Sequence, residues 1–196
     1  PEVAVLLVDD ATKWFDSLEY LSRLPEKLGG LMAHLAKGGQ VDAALRLAKA
    51  LFSVRAGSDG PGKRKKTTYS FPPDPRARFS AWEYHEMMRK DFVELVKTGE
   101  FKTFDLACDL LEETVELSKH RRSDKGPEDY SHIWYSKLEE DPRVHGNGVK
   151  ETLVSAVREA AEQLCQADSR NVPGVVHRLQ EKPWEIFHRI GLHVLR

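Results

Sequence analysis

Only two cysteines occur in 196 residues, and no stretch of the chain is apolar for long. Cys108 and Cys165 lie far apart within apolar helical patterns, and neither has a second cysteine close enough to form a zinc pair. Buried, reduced thiols are the expectation, which fits a reducing, cytoplasmic setting. The longest apolar stretch, Val3-Ala4-Val5-Leu6-Leu7-Val8, is far short of the roughly 20 residues that span a bilayer. It has no basic flank and no small-residue cleavage site, so it is a poor signal peptide. An excess of either charge is missing too: 30 basic residues face 31 acidic ones, for a net charge of −1. The chain therefore has no global attraction for nucleic acid or acidic lipid, and any such attraction would need a local patch.

Helical periodicity is abundant, and it comes in pairs. Residues 2–16 read as a helix, because the Val3–Val8 run has no second strand-like run to pair with. Residues 18–37 place Leu21, Leu24, Leu28, Leu31, Met32 and Leu35 three and four apart, with Pro25 able to open a second, shorter helix. Gly38-Gly39 is a stop signal. The spacing predicts a further helix over 41–54 through Val41, Ala44, Leu45, Ala48, Leu51 and Phe52.

Residues 57–75 hold four prolines and three glycines around the basic run Lys63-Arg64-Lys65-Lys66, a composition that predicts a loop without packed elements. Ser80-x-x-Glu83 is a capping box that opens a helix ending at Gly99. A partner helix is expected from about Thr103 to His120. Residues 122–146 read as a second polar loop that carries Tyr130, Ile133, Trp134 and Tyr135. Helices are expected again over 149–167, 171–180 and 184–196, the last two divided at Lys182-Pro183.

Most chemical signals have plain explanations. Gly57-Ser58-Asp59-Gly60-Pro61-Gly62-Lys63 matches the first seven positions of a phosphate-binding loop, but Arg64 stands where a magnesium-binding hydroxyl belongs. The run also follows a helix rather than a strand. His120, His132 and His145 show no compact ligand spacing, and all the histidines read as surface or edge residues. There is no Gly-x-Ser-x-Gly elbow and no cysteine with a recognisable histidine partner. Glu112-Glu113 and Glu139-Glu140 are adjacent carboxylates that point apart, and they read as solvated surface. No cofactor, metal or catalytic residue is expected, and the chain does not read as an enzyme.

Two loops carry the candidate partner sites. Tyr130, Trp134 and Tyr135 are large side chains that either pack the second loop on the core or anchor a protein partner. Lys63, Arg64, Lys65, Lys66, Arg76 and Arg78, with Tyr69 and Phe71 between them, form the alternative: a nucleic-acid-binding loop over 63–78.

Helical pairs of roughly 35 to 50 residues predict an all-α fold, an irregular HEAT- or armadillo-like solenoid of about four pairs, with a compact helical bundle as the alternative. Several runs then carry a likeness. They are Leu28-Gly29-Gly30-Leu31-Met32-Ala33-His34-Leu35-Ala36-Lys37-Gly38-Gly39, Ala43-Ala44-Leu45-Arg46-Leu47-Ala48, Trp82-Glu83-Tyr84, Cys108-Asp109-Leu110-Leu111-Glu112, Ser131-His132-Ile133-Trp134 and Lys182-Pro183-Trp184-Glu185-Ile186-Phe187-His188-Arg189-Ile190. In this order they resemble the helical region of large bacterial ATP-binding proteins of the STAND or NACHT type, many of them linked to antiphage defence. Residues 1–196 then read as one helical-repeat segment, with composition placing long loops at about 57–79 and 122–146, and the resemblance, which covers most of the chain except the basic loop, implies that the segment belongs to a larger protein. It implies a sensing or scaffolding role, with any ATPase core elsewhere in the polypeptide and a protein or the other domains of the same chain as partner.

Overall fold

The computed structural model describes residues 8, 24–57, 74–119, 129–134 and 148–196. Over these residues the fold is all-α. The elements are α1 (Leu24–Lys37), α2 (Val41–Phe52), α3 (Ala81–Met87), a π-helical turn (Met88–Phe92), α4 (Val93–Leu117), α5 (Val149–Ala167), α6 (Val172–Glu181) and α7 (Glu185–Val194). None of the described helices is long and apolar enough to cross a membrane. The helix expected over 2–16 lies outside the described residues except for Val8, which is buried in the core.

Local chemistry sets most of the boundaries. α1 starts at Leu24 with Pro25 in its first turn, where the missing amide leaves no bond unmade. It ends in a glycine-dependent cap. Gly39 adopts a φ of 78°. This lets Gln40 N–H reach the Leu35 carbonyl at 2.9 Å and Gly39 N–H reach Ala36 at 3.0 Å. Ser80 and Glu83 form the capping box: Glu83 N–H donates to Ser80 Oγ at 3.2 Å, and Ser80 N–H donates to Glu83 Oε2 at 3.1 Å.

The core is continuous through the molecule. α1 packs on α2, both pack on α4, and α4 packs along α5. α5 in turn supports α6 and α7. The largest fully buried side chains include Phe52, Tyr84, Phe92 and Phe104. The Phe52 ring meets Tyr84 edge-on at 5.4 Å and Phe92 edge-on at 5.6 Å, the arrangement that aromatic quadrupoles favour. Tyr84 Oη donates to the Phe52 carbonyl at 3.0 Å, so this carbonyl at the end of α2 is satisfied from α3. Burial, with a smaller push from the charge on Glu113, holds the Tyr84 phenol well above its usual range.

Four features depart from the sequence expectations. First, the helix expected over 41–54 stops at Phe52, and Val54–Arg55 instead forms a two-residue ladder with Arg76–Ala77. The pairs are Val54 with Ala77 and Arg55 with Arg76, antiparallel, so the ladder brackets residues 57–75 and puts a packed element at the C-terminal end of the 57–79 loop. Such a ladder is too short to leave an alternating pattern in sequence. Second, α3 continues through a π-helical turn at Met88–Phe92, which adds about one residue to the turn, and both Met88 and Phe92 are buried. Third, residues 131–133 of the second loop form a 3-10 turn. Fourth, Glu112 is not a solvated carboxylate: it accepts from Lys182 Nζ at 2.6 Å, as Asp109 does at 2.9 Å.

The interruption expected after Gly99 is present, within α4. Glu100 adopts φ 46° and ψ −127°, and the chain turns there between two helical arms. A β-carbon on Gly99 would crowd the Thr103 hydroxyl and lie 3.2 Å from Val41 Cγ1. Thr103 Oγ1 donates to the Leu95 carbonyl at 2.9 Å and satisfies it at the break. A side chain at the Glu100 backbone geometry costs on the order of 1–3 kcal/mol. Because Glu100 is exposed, Glu100→Gly removes strain without removing packing. The expected result is a gain of about 1 kcal/mol in unfolding free energy after the extra chain entropy of glycine is subtracted. Chemical denaturation with an unchanged slope checks it; a loss of stability would show that the turn is not strained.

Candidate recognition cleft

Among the described residues, parts of the two loops border one cleft. A cleft of about 600 Å³ is lined by Asp74, Pro75, Arg76 and Ala77 on one side and by Ile133 and Trp134 on another. Phe79 and Ala81 form part of its floor, and the start of α5, Gly148–Glu151, closes it. Each wall is held by a separate device.

The first wall is fixed by the ladder and by Arg78, whose Nε donates to Ser53 Oγ at 2.9 Å. Arg78 is thereby directed to the end of α2, whereas Arg76 lines the cleft. The third wall carries an unusual choice of residue. Lys150 sits at the second position of α5, where the helix dipole disfavours a cation. Lys150 Nζ is compensated twice: it donates to Asp74 Oδ1 at 2.5 Å and lies 4.8 Å from the centre of the Trp134 ring. Glu151 folds back over Gly148, where its carboxylate occupies the space a β-carbon would need, and the helix start gains an acidic neighbour.

The second wall is a short strap, residues 129–134. Its conformation is set locally by Asp129, whose Oδ1 accepts from Ser131 N–H at 2.7 Å. It is attached to α7 at three points. Asp129 Oδ2 accepts from Glu185 N–H at 2.8 Å, Ser131 Oγ accepts from Ile186 N–H at 3.3 Å, and Arg189 donates to the His132 carbonyl. Trp184, at the start of α7, supplies no side-chain cap of its own, so the strap provides it from more than fifty residues away.

Of the aromatic residues singled out from sequence, Trp134 is half-buried and lines the cleft. Tyr130 is 38% exposed on the strap beside it. Ile133 is 62% exposed, and so is Trp82 one residue beyond Ala81. Tyr135 and the basic run Lys63, Arg64, Lys65 and Lys66 lie outside the described residues, as do all but Gly57 of the phosphate-loop mimic. Arg76 and Trp134, read from sequence as parts of rival sites, border the same cleft. Lys150 and Asp129 were missed. The only signals were a lysine against the helix dipole and an aspartate two residues before a serine.

A second, polar hollow of about 410 Å³ lies between α4 and α6, lined by Asp105, Cys108, Asp109, His177, Arg178, Glu181 and Lys182. Its charges are matched internally. Arg178 meets Asp105 at 3.0 Å, His177 meets Glu181 at 3.3 Å, and Lys182 holds Asp109 and Glu112. Burial pulls the Lys182 ammonium down, but its hydrogen bonds to Glu112 and Asp109 outweigh this and raise it above its usual value. The Cys108 thiol beside them is buried, and burial pushes it up, away from the thiolate that nucleophilic chemistry needs. Cys165 is also a free thiol. Among the described residues, no three His, Cys, Asp or Glu side chains converge as metal ligands. His193 is half-buried and pairs with Glu162 at 2.7 Å, and His85 Nδ1 lies 3.3 Å from Thr152 Oγ1.

No protein-family model, no curated protein and no solved structure matches this chain.

Proposed function

We propose that the chain is a non-catalytic recognition or scaffolding segment that binds a protein partner at the cleft between its two loops. The observation that carries this reading is the cleft itself: Trp134, Phe79 and the exposed Ile133 stand beside Arg76 and the Lys150–Asp74 pair. Large rings with an arginine, set in a concavity on a helical framework, are the residue types that dominate protein interfaces. Stacking of the helical pairs as a solenoid would present this cleft along one side of a longer array. The resemblance to STAND- or NACHT-type proteins supports a sensing segment of a larger bacterial, cytoplasmic, defence-related protein with its ATPase elsewhere.

Arg76 and Trp134 on one surface also support the second reading, single-stranded nucleic acid stacked on the ring. The charge balance favours protein, because Asp74 and Glu151 stand beside the cations and would repel a phosphate backbone. A photo-crosslinking residue at position 133, in cells that express the full polypeptide, tests the choice. A discrete crosslinked polypeptide, lost when Trp134 is also replaced by alanine, is expected. Crosslinks to nucleic acid, with oligonucleotide binding that weakens with salt and with Arg76→Ser, would overturn the protein reading.

A further inference from the structure

We infer that the strap at residues 129–134 couples α7 to the cleft, so that the seating of α7 sets the position of Trp134. The inference rests on the geometry of the cleft wall and holds whichever partner the cleft takes.

Before Trp134, whose ring packs partly against the core, the strap is attached mainly by polar contacts. Tyr130 and Ile133 face outward, and Ser131 is its one fully buried residue before Trp134. Three of its attachments lead to α7: the amides of Glu185 and Ile186 and the guanidinium of Arg189. At its other end the strap delivers Ile133 and Trp134 to the cleft, with the Trp134 ring beneath Lys150 at the start of α5. Two of the three bonds, those of Glu185 and Arg189, are in reach of water, and such bonds are individually weak and easily exchanged. A strap held in this way follows the element it is tied to. A shift of α7 along its axis breaks the cap and the Arg189 contact together, whereas the Lys150–Asp74 pair belongs to other elements and stays. The result is a wall that can move while the rest of the cleft keeps its shape. Asp129 and Arg189 are then positioning residues for Trp134, and neither of them lines the cleft.

The test compares the full chain with Asp129→Ala and Arg189→Met by residue-resolved hydrogen exchange and the indole resonance of Trp134. The Ile133 and Trp134 amides are bonded within the strap, to the Tyr130 and Ser131 carbonyls, and report its order. Both variants are expected to speed exchange of these two amides by about tenfold and to shift the Trp134 indole resonance, with α1 and α2 unchanged. Arg189→Met is the decisive arm, because it leaves the Asp129 cap in place, and the Trp134 amide is its cleaner reporter, since the His132 carbonyl that Arg189 contacts shares a peptide group with the Ile133 amide. The inference is overturned if exchange rises only at Glu185 and Ile186, the mark of a lost helix cap. It is overturned equally if neither variant moves the indole resonance, or if all helices exchange faster together. None of these readouts involves a partner, so failure of the coupling is distinct from failure of the recognition reading.

Discussion

Replacing Phe52 by alanine lowers the unfolding free energy by about 4 kcal/mol, the upper part of the range for a large side chain removed from a well-packed core. Phe52 is fully buried at the end of α2, and its ring touches two others, Tyr84 from α3 and Phe92 from the π-helical turn. Three elements therefore surround the cavity that the substitution leaves, and α3 and the π-helical turn run into α4 without a loop, so collapse is limited. The backbone at position 52 keeps its partner, since Tyr84 Oη donates to the carbonyl and not to the ring. Tyr84→Phe provides the contrast: it keeps the ring contact and leaves a buried carbonyl unpaired, a loss of about 1–2 kcal/mol. Denaturant titration of both variants separates packing from hydrogen bonding. Equal losses, or a Phe52 loss below about 1 kcal/mol, would contradict the central role of this ring cluster.

Trp134→Ala is expected to act more on binding than on folding. The ring is half-buried. Its removal therefore takes away less than that of a core aromatic would, about 1–2 kcal/mol of stability. It also removes the ring beneath Lys150, but the ammonium keeps Asp74. As an anchor in a cleft, the same ring should contribute about 2 kcal/mol or more to association, roughly a thirtyfold loss of affinity on truncation. Melting temperature and partner affinity measured on one preparation distinguish the two effects. A stability loss as large as that of Phe52→Ala, with binding unchanged, would assign Trp134 to packing alone.

The sequence was informative where a local rule acts. Gly38-Gly39 stops α1 because only a residue without a β-carbon takes Gly39's geometry easily. Ser80 and Glu83 cap α3 through bonds that span three residues. The bounds expected for α5, 149–167, match Val149–Ala167, because Leu153, Val157, Ala160, Ala161 and Leu164 recur at helical spacing and all are buried. The candidate site was legible only in part. Trp134 and Arg76 stood out as residue types, yet they lie 58 positions apart, and no local rule states that they meet.

The sequence by itself determined the helical class, the stripes that form the core and most of the element ends, because propensity, periodicity and capping act within one or two turns. Tertiary structure alone decided the Val54–Ala77 ladder, the π-helical turn, the cap that Asp129 lends to α7 and the cleft where the two loops meet. These depend on groups brought together across long stretches of chain. A hydrogen-bond partner more than fifty residues away leaves no period in the sequence, only an aspartate or a lysine that its own neighbours do not explain.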